Sequence, residues 1–552
     1  MKKFINRPQD VVEEMLQGLV VLHPGLARLA GYKVIVRADA AEVRDQQVAV
    51  LSGGGSGHEP AHAGYVGAGM LSAAIAGEVF TSPSSDSVFA AIKAAAGQRG
   101  ALLVVKNYTG DRLNFTLAAE MARAEGIAVE IVIVDDDVAL KGQPQATGAR
   151  GLAGTVLIHK LTGTAAAEGR TLADVAATGR AAVAALATMG VSFSAGTAPA
   201  VGKPSFELGE TEMELGLGIH GEPGVERTEL QPASDVTKTL LTEILKYGKF
   251  GDDGRVALLV NNLGATTEME LAIVANHALS FLEEKGWAVE RVYAGTFLSS
   301  LDMAGLSISV LGLNDEWIRW LDAETTAPAW PNVLKRRPGK AAVSVAVKSR
   351  TEAAPGEGKR LRQAIEAACR ALIKAEAELT ELDRITGDGD LGSNMARAAG
   401  TVLAALDSYP LDKVPATLKA LGHTLGKELG GSSGPLYGVL FLRCGNALEA
   451  AGTLTLEQWA AAVRQGCDAI GEMGGAKPGD RTMLDALDPF ATALPQGVNA
   501  AVAAAELGAA ATAQMKPRQG RSSYLGDRVL GHPDPGAQAL VCWLRAALAG
   551  ES

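Results

Sequence analysis

Two different hydrophobic periods divide the chain. Up to about residue 330, short β-branched runs alternate with helical patterns. Val48–Ser52 leads into Gly53–Pro60, Ala101–Asp111 precedes a helical pattern at 114–125, and Val129–Asp137 follows. This rhythm of strand, loop, helix and strand predicts an α/β layer structure. A Gly- and Glu-rich stretch, Gly196–Gly224, interrupts it, and the rhythm resumes with Arg255–Gly264, a helical segment at 267–285, Arg291–Phe297 and Leu306–Leu313. The reading is an α/β domain over 1–334 with two lobes, about 1–190 and 191–334. Residues 335–358 carry Pro, Gly and charge without a period and read as a linker. Beyond them Leu361, Ile365, Ala368, Cys369, Leu372, Glu376 and Leu379 recur at steps of three and four, with Glu376 the only charge in the series, an amphipathic helix. Ala-rich helical patterns broken by glycine loops fill the remainder, so 359–552 is predicted to be an all-α domain.

Composition narrows the function classes. Charged residues at 20% and hydrophobic residues at 47% exclude a largely disordered chain. A net charge of −11 argues against nucleic acid or an anionic membrane surface as the main partner, while leaving room for phosphate in a local pocket. Cys369, Cys444, Cys467 and Cys542 form no CxxC pair, and the amino-terminal residues lack the apolar run of a signal peptide. A reduced, cytoplasmic protein without a membrane span is expected.

Three clusters in the α/β part sit just past strands or in glycine-rich turns. Gly53-Gly54-Gly55-Ser56-Gly57-His58 follows the first strand and lacks the Gly-Lys-Ser/Thr of a Walker A loop. It reads as a tight connection or as a backbone cradle for a polar ligand, with His58 at the strand end where open α/β sheets bind ligands. Lys106 and Asp111 flank Asn107–Gly110 and read either as a surface ion pair or as a cation and general base for a hydroxyl. His220, between Gly218 and Gly224, is either structural or a nucleophile towards a carbonyl.

The helical part carries the sharper signal. Asp383, Asp388 and Asp390 place three carboxylates within eight residues, with Gly387 and Gly389 bending the chain between them. Hard oxygen donors grouped in this way suit Mg²⁺, above all where phosphate oxygens complete its shell. Gly430–Pro435 and Lys477–Asp485 add loops at helix starts, and Gly520–Tyr524 and His532–Gly536 add a cation and another loop. Taken together these loops point to a Mg-nucleotide enzyme with a separate α/β ligand domain.

Gly53–Pro60, Asn107–Asp111 and Gly218–Gly224 resemble the substrate domain of dihydroxyacetone kinases, and Asp383, Gly387–Gly392, Gly430–Gly438 and Lys477–Leu487 resemble their nucleotide domain. The resemblance covers nearly the whole chain. It implies ATP-dependent phosphorylation of dihydroxyacetone, with glyceraldehyde a possible further substrate. His220 then holds the ketone as a hemiaminal, Asp111 is the base for the attacking hydroxyl and His58 a hydrogen-bonding partner. Gly53, Gly54, Gly55, Ser56, Gly57 and Lys106 line the pocket. Asp383, Asp388 and Asp390 hold two Mg²⁺ ions against the phosphates. The implied nucleotide contacts are Thr386, Gly387, Leu391, Gly392, Ser393, Asn394, Ser432, Ser433, Gly474, Met483, Arg521, Asp534 and Gly536. The resemblance also implies a barrel-like bundle of eight helices and a homodimer through the substrate domains. Two other readings stay open: a second activity splitting FAD to cyclic FMN, and a dihydroxyacetone-sensing regulator without catalysis.

Overall fold

The computed structural model describes residues 2–141, 148–251, 253–332, 358–451 and 454–549. All but the last residue of the expected linker, 335–358, lie outside the described residues, as does the side chain of Arg521. The chain divides into two compact units, 1–343 and 344–552.

In the first unit a six-stranded sheet has the spatial order Leu26–Arg28, Val34–Arg37, Ala73–Val79, Ala49–Ser56, Ala101–Lys106 and Val129–Val134. The last four strands are parallel and the first two antiparallel. Parallel strands buried on both faces read as continuous apolar runs, as Ala101–Val105 does. Their alternation sorts side chains to opposite faces. Leu51, Leu103 and Val105 meet the helices Ser85–Ala95 and Thr109–Ala124, while Val50, Leu102 and Val104 meet Thr155–Ala167 and Leu172–Ala184.

The glycine run was expected as a loop after this strand, but the strand continues through it to Ser56, with Gly53–Gly55 paired to Ile75–Gly77. The reason is close approach of backbones. A Cβ on Gly53 would collide with the Ile75 carbonyl oxygen, and one on Gly55 would lie 2.6 Å from the Thr81 nitrogen.

A second six-stranded sheet has the order Ala288–Gly295, Arg255–Asn262, Gly305–Gly312, Leu186–Ser192, Glu212–Leu215 and Glu226–Glu229, antiparallel except for its first pair. The helices Ala233–Tyr247 and Glu268–Glu284 cover one face. The latter opens with a capping box between Thr267 and Glu270, which satisfies backbone donors at the helix start. From the opposite face Ala257, Leu259 and Leu311 enter the same cluster as Leu157 and Leu161. The two lobes therefore share one core, and the segment after Val134 joins them: Thr188 N–H donates to Asp136 O (2.7 Å) and Val138 N–H to Thr188 O (2.9 Å).

The second unit is helical. Among the described residues it contains nine α-helices: Lys359–Lys374, Glu376–Thr386, Leu391–Ala405, Val414–Glu428, Ser433–Ala451, Leu456–Gly474, Leu484–Ala493, Val498–Ala511 and Pro535–Leu548. The apolar series ending at Leu379 predicted one helix, whereas the structure bends it at Ala375 into the first two of these. Counted as one bent rod, they leave eight.

Candidate functional site

In the α/β unit the predicted residues gather at the carboxyl ends of the first sheet. Lys106 ends its strand and is wholly buried; its Nζ has no hydrogen-bond partner among the described residues. Burial lowers its pKa against the opposing pull of Asp111, Glu222, Asp136 and Glu59. Asp111 was expected in a loop ahead of a helix at 114–125, but that helix begins at Thr109, so Asp111 lies in its first turn, where exposed N–H dipoles favour a carboxylate. Ser82 Oγ donates to its Oδ1 at 2.5 Å. Gly54 leaves open the space between these two groups: a Cβ there would stand 3.1 Å from Lys106 Nζ and 3.5 Å from Asp111 Oδ2.

His58 is fully buried, and its Nδ1 donates to the Ser299 carbonyl at 2.9 Å. A neutral imidazole that donates at Nδ1 keeps an acceptor lone pair at Nε2, and that atom has no partner among the described residues. Burial and the nearby Lys106 hold its pKa well below the ordinary histidine value, so the ring is neutral at pH 7.

His220 arrives from the second lobe, on the loop after the strand Glu212–Leu215. Three rings surround its imidazole, with centroids at 4.7 Å for His58, 5.3 Å for Phe80 and 4.6 Å for Tyr108. Its Nδ1 donates to Glu222 Oε1 at 3.0 Å, while Glu222 Oε2 accepts the His220 backbone N–H at 2.8 Å. Burial would raise the Glu222 pKa, but the side-chain and backbone hydrogen bonds it accepts from His220 outweigh it and hold the group at about 2. With Nδ1–H given to this carboxylate, the neutral tautomer carries its lone pair on Nε2, the form needed for attack on a carbonyl. Glu222, Phe80, Tyr108, Ser82 and Ser299 were not among the predicted site residues. Two of them lay inside predicted motifs, Glu222 two positions beyond His220 in the same glycine-rich turn and Tyr108 between Lys106 and Asp111.

In the helical unit, topology brings the predicted loops to one end. Consecutive antiparallel helices put every second connection on the same side. The connections at 387–390, 429–432, 475–483 and 512–534 are such alternates. Carboxylate oxygens of Asp383, Asp388 and Asp390 lie within 4.8 Å of one another, Asp383 buried and the other two exposed. This set of hard donors fits Mg²⁺. Asp383 Oδ2 also accepts from the Asp390 and Leu391 N–H groups at 2.9 and 3.1 Å, which folds the turn around it.

Next to this turn stands Gly430, whose missing Cβ would lie 3.4 Å from the Asn394 side chain. Ser433 opens its helix directly after Ser432, and Ser393 Oγ donates to Asp390 O at 3.0 Å. Ser522 Oγ donates to the Thr386 carbonyl at 2.7 Å, seating the 520–524 segment against the Asp-bearing helix. Gly474 ends its helix, next to Gly475, whose carbonyl accepts from Gln519. Met483 and Gly536 meet, a Cβ on Gly536 lying 3.9 Å from Met483 Cβ.

Several nucleotide candidates have other duties in the protein. Thr386 is buried with its hydroxyl on Leu382 O, and Leu391 packs into the core. Gly392 allows its helix to cross Glu376–Thr386 closely, since a Cβ would collide with Glu376 O. Asp534 caps Pro535–Leu548 through Ala537 N–H at 2.8 Å and faces Arg481 at 3.8 Å. Its pKa is pushed up to about 6, chiefly by burial.

Residues 17–329 match the family model described as the Dak1 domain, and residues 385–549 match the DAK2 domain. The chain is 46% identical to the putative 3,4-dihydroxy-2-butanone kinase of Solanum lycopersicum over 99% of this chain and 97% of that one. It is 42% identical to the triokinase/FMN cyclase of Homo sapiens over 99% of both chains. The crystal structure of the dihydroxyacetone kinase from C. freundii in complex with AMP-PNP and Mg²⁺ matches it with a TM-score of 0.64 at 35% identity, covering 100% of both chains. With both domain models matched and likeness along its whole length, this chain belongs to the dihydroxyacetone kinase family.

Proposed function

We propose that the chain transfers the terminal phosphoryl group of ATP to dihydroxyacetone, holding the ketone covalently on His220. The observation that carries this reading is the His220–Glu222 pair: Nδ1–H is committed to the carboxylate at 3.0 Å, in a ring-walled pocket shared with Lys106 and Asp111. His220 Nε2 attacks the carbonyl carbon, a new N–C bond forms, and the carbonyl π pair moves to oxygen. The Nδ1 proton stays on the ring, whose new positive charge is balanced by the Glu222 carboxylate, and the new alkoxide takes a proton from the Lys106 ammonium. The result is a hemiaminal with its imidazolium paired to Glu222, which a polyol such as glycerol cannot form.

Asp111 then accepts the proton of a terminal hydroxyl as its oxygen attacks phosphorus. Ser82 holds that carboxylate in place. Asp383, Asp388 and Asp390 would bind Mg²⁺, whose charge neutralises the phosphate oxygens in the absence of a Walker A lysine. The remaining work of the chain's residues is alignment.

The test is ADP release by purified protein with Mg-ATP and either dihydroxyacetone or glycerol. Ketone-dependent release with little response to glycerol is expected, and His220→Ala should lose both the adduct and most of the turnover at low ketone concentration. Equal use of ketone and glycerol, or a ketone adduct retained in His220→Ala, would remove the covalent mechanism. The name of the human relative adds FMN cyclase. Incubation with FAD and Mn²⁺, followed by chromatography for cyclic FMN, tests that second activity.

A further inference from the structure

The nucleophile and the base of this site come from different lobes, His220 from the second sheet's loop and Asp111 from the first sheet's helix. Their separation depends on what ties that loop to the first lobe. One tie is a buried ion pair that no catalytic step uses. Asp137, wholly buried, lies just beyond the strand Val129–Val134 of the first sheet. Its Oδ2 accepts from Arg150 Nε at 2.7 Å and is ion-paired with Nη2 at 2.6 Å, while Asp137 N–H donates to Arg150 O at 3.0 Å. Arg150 Nη2 also donates to the carbonyl of Gly216, at the root of the His220 loop, at 2.6 Å. Two residues on, a Cβ on Gly218 would stand 2.9 Å from Arg150 Nη1 and collide with Glu222 Oε2. The guanidinium therefore lies against the loop at the point where Glu222 turns back on His220. Ser300 Oγ, donating to Ile219 O at 2.6 Å, pins the other side.

We infer that Arg150, locked by Asp137, is a positioning residue that sets His220 and Glu222 against the Lys106–Asp111 side of the pocket. Only a planar fork reaches the Asp137 carboxylate and the Gly216 carbonyl together, so lysine is not an equivalent replacement. The inference rests on the reading of His220 as the ketone-binding nucleophile.

The test uses full-length protein and dihydroxyacetone labelled with ¹³C at the carbonyl, whose shift reports the change from ketone to hemiaminal. Wild-type protein should show the adduct. Arg150→Lys should weaken its formation about tenfold or more, since misplacement of reacting groups by an ångström is costly, and lower kcat/KM for the ketone in parallel. The KM for ATP should stay unchanged. A purely structural role would lower thermal stability while leaving the adduct equilibrium of the folded protein within twofold of wild type, and that result overturns the inference. The double variant Asp137→Asn/Arg150→Gln, which leaves no buried charge unpaired, should show the same loss if Arg150→Lys does not fold. Absence of an adduct in the wild-type protein would overturn the His220 reading and this inference with it.

Discussion

At His220 an offset of two residues decides what the ring can do. Glu222 sits on the same turn, and its carboxylate takes both the side-chain and backbone N–H of His220. Glu222→Gln keeps an acceptor but removes the charge that steadies the ring as it becomes cationic. Ketone affinity should fall about tenfold, in line with the loss of a charge-assisted hydrogen bond, while the KM for ATP is unmoved. The same substitution has a pH signature. A carboxyl lowered from 4.5 to about 2 on folding adds stability that is fully present above 4.5 and is lost as pH falls towards 2. Urea midpoints of Glu222→Gln should thus drop less steeply than wild type on acidification through that window; parallel curves would remove Glu222 from the pair. His220, Asp111 and Lys106 were legible because short motifs expose them. Phe80 was not, because no spacing along the chain tells which rings will close over a histidine from another lobe; Tyr108 lay inside a predicted motif, but nothing in its spacing gave it that role.

Helices and strands take their limits from neighbours as much as from pattern. The capping box at Thr267–Glu270 is local, and the helix it opens, Glu268–Glu284, falls where the sequence placed it, at 267–285. The strand through Gly53–Gly55 is not local: three glycines in a row signal a loop unless another backbone fills the missing Cβ positions, as that of Ile75–Gly77 and Thr81 does. Gly392 and Gly400 offer a controlled comparison within one helix. At Gly392 a Cβ would also lie 2.6 Å from Thr380 N, whereas at Gly400 nothing lies within 4 Å. Gly400→Ala should stabilise the helical unit by about 0.5–1 kcal/mol through helix propensity. Gly392→Ala should destabilise it by about 1–3 kcal/mol, the usual cost of overpacking, and should weaken Mg-ATP binding by shifting the neighbouring Asp turn. Denaturant titrations that give both variants the same sign would show that close helix crossing is not what Gly392 provides.

For the whole molecule, the two units differ in how they build a core. The α/β unit has apolar clusters on both faces of its sheets, and the helical unit has its own clusters around Leu440 and Phe490 and around Val402 and Leu421. No helix of the described residues is long and apolar enough to cross a membrane. Units with separate cores unfold as separate cooperative transitions when neither depends on the other for burial. Each ligand should then stabilise only the unit that binds it, by about 2.7 kcal/mol at a hundredfold excess over its Kd. Calorimetry of the full chain should show two transitions, with dihydroxyacetone raising the one that includes His220 and Mg-ATP raising the other. Asp388→Ala should abolish the Mg-ATP shift, because the remaining carboxylates no longer close the metal's shell, and leave the dihydroxyacetone shift intact. His220→Ala should do the reverse. A single transition raised equally by both ligands would instead mean that the units fold as one body, and the division of labour between ketone capture and nucleotide binding would need to be sought within it.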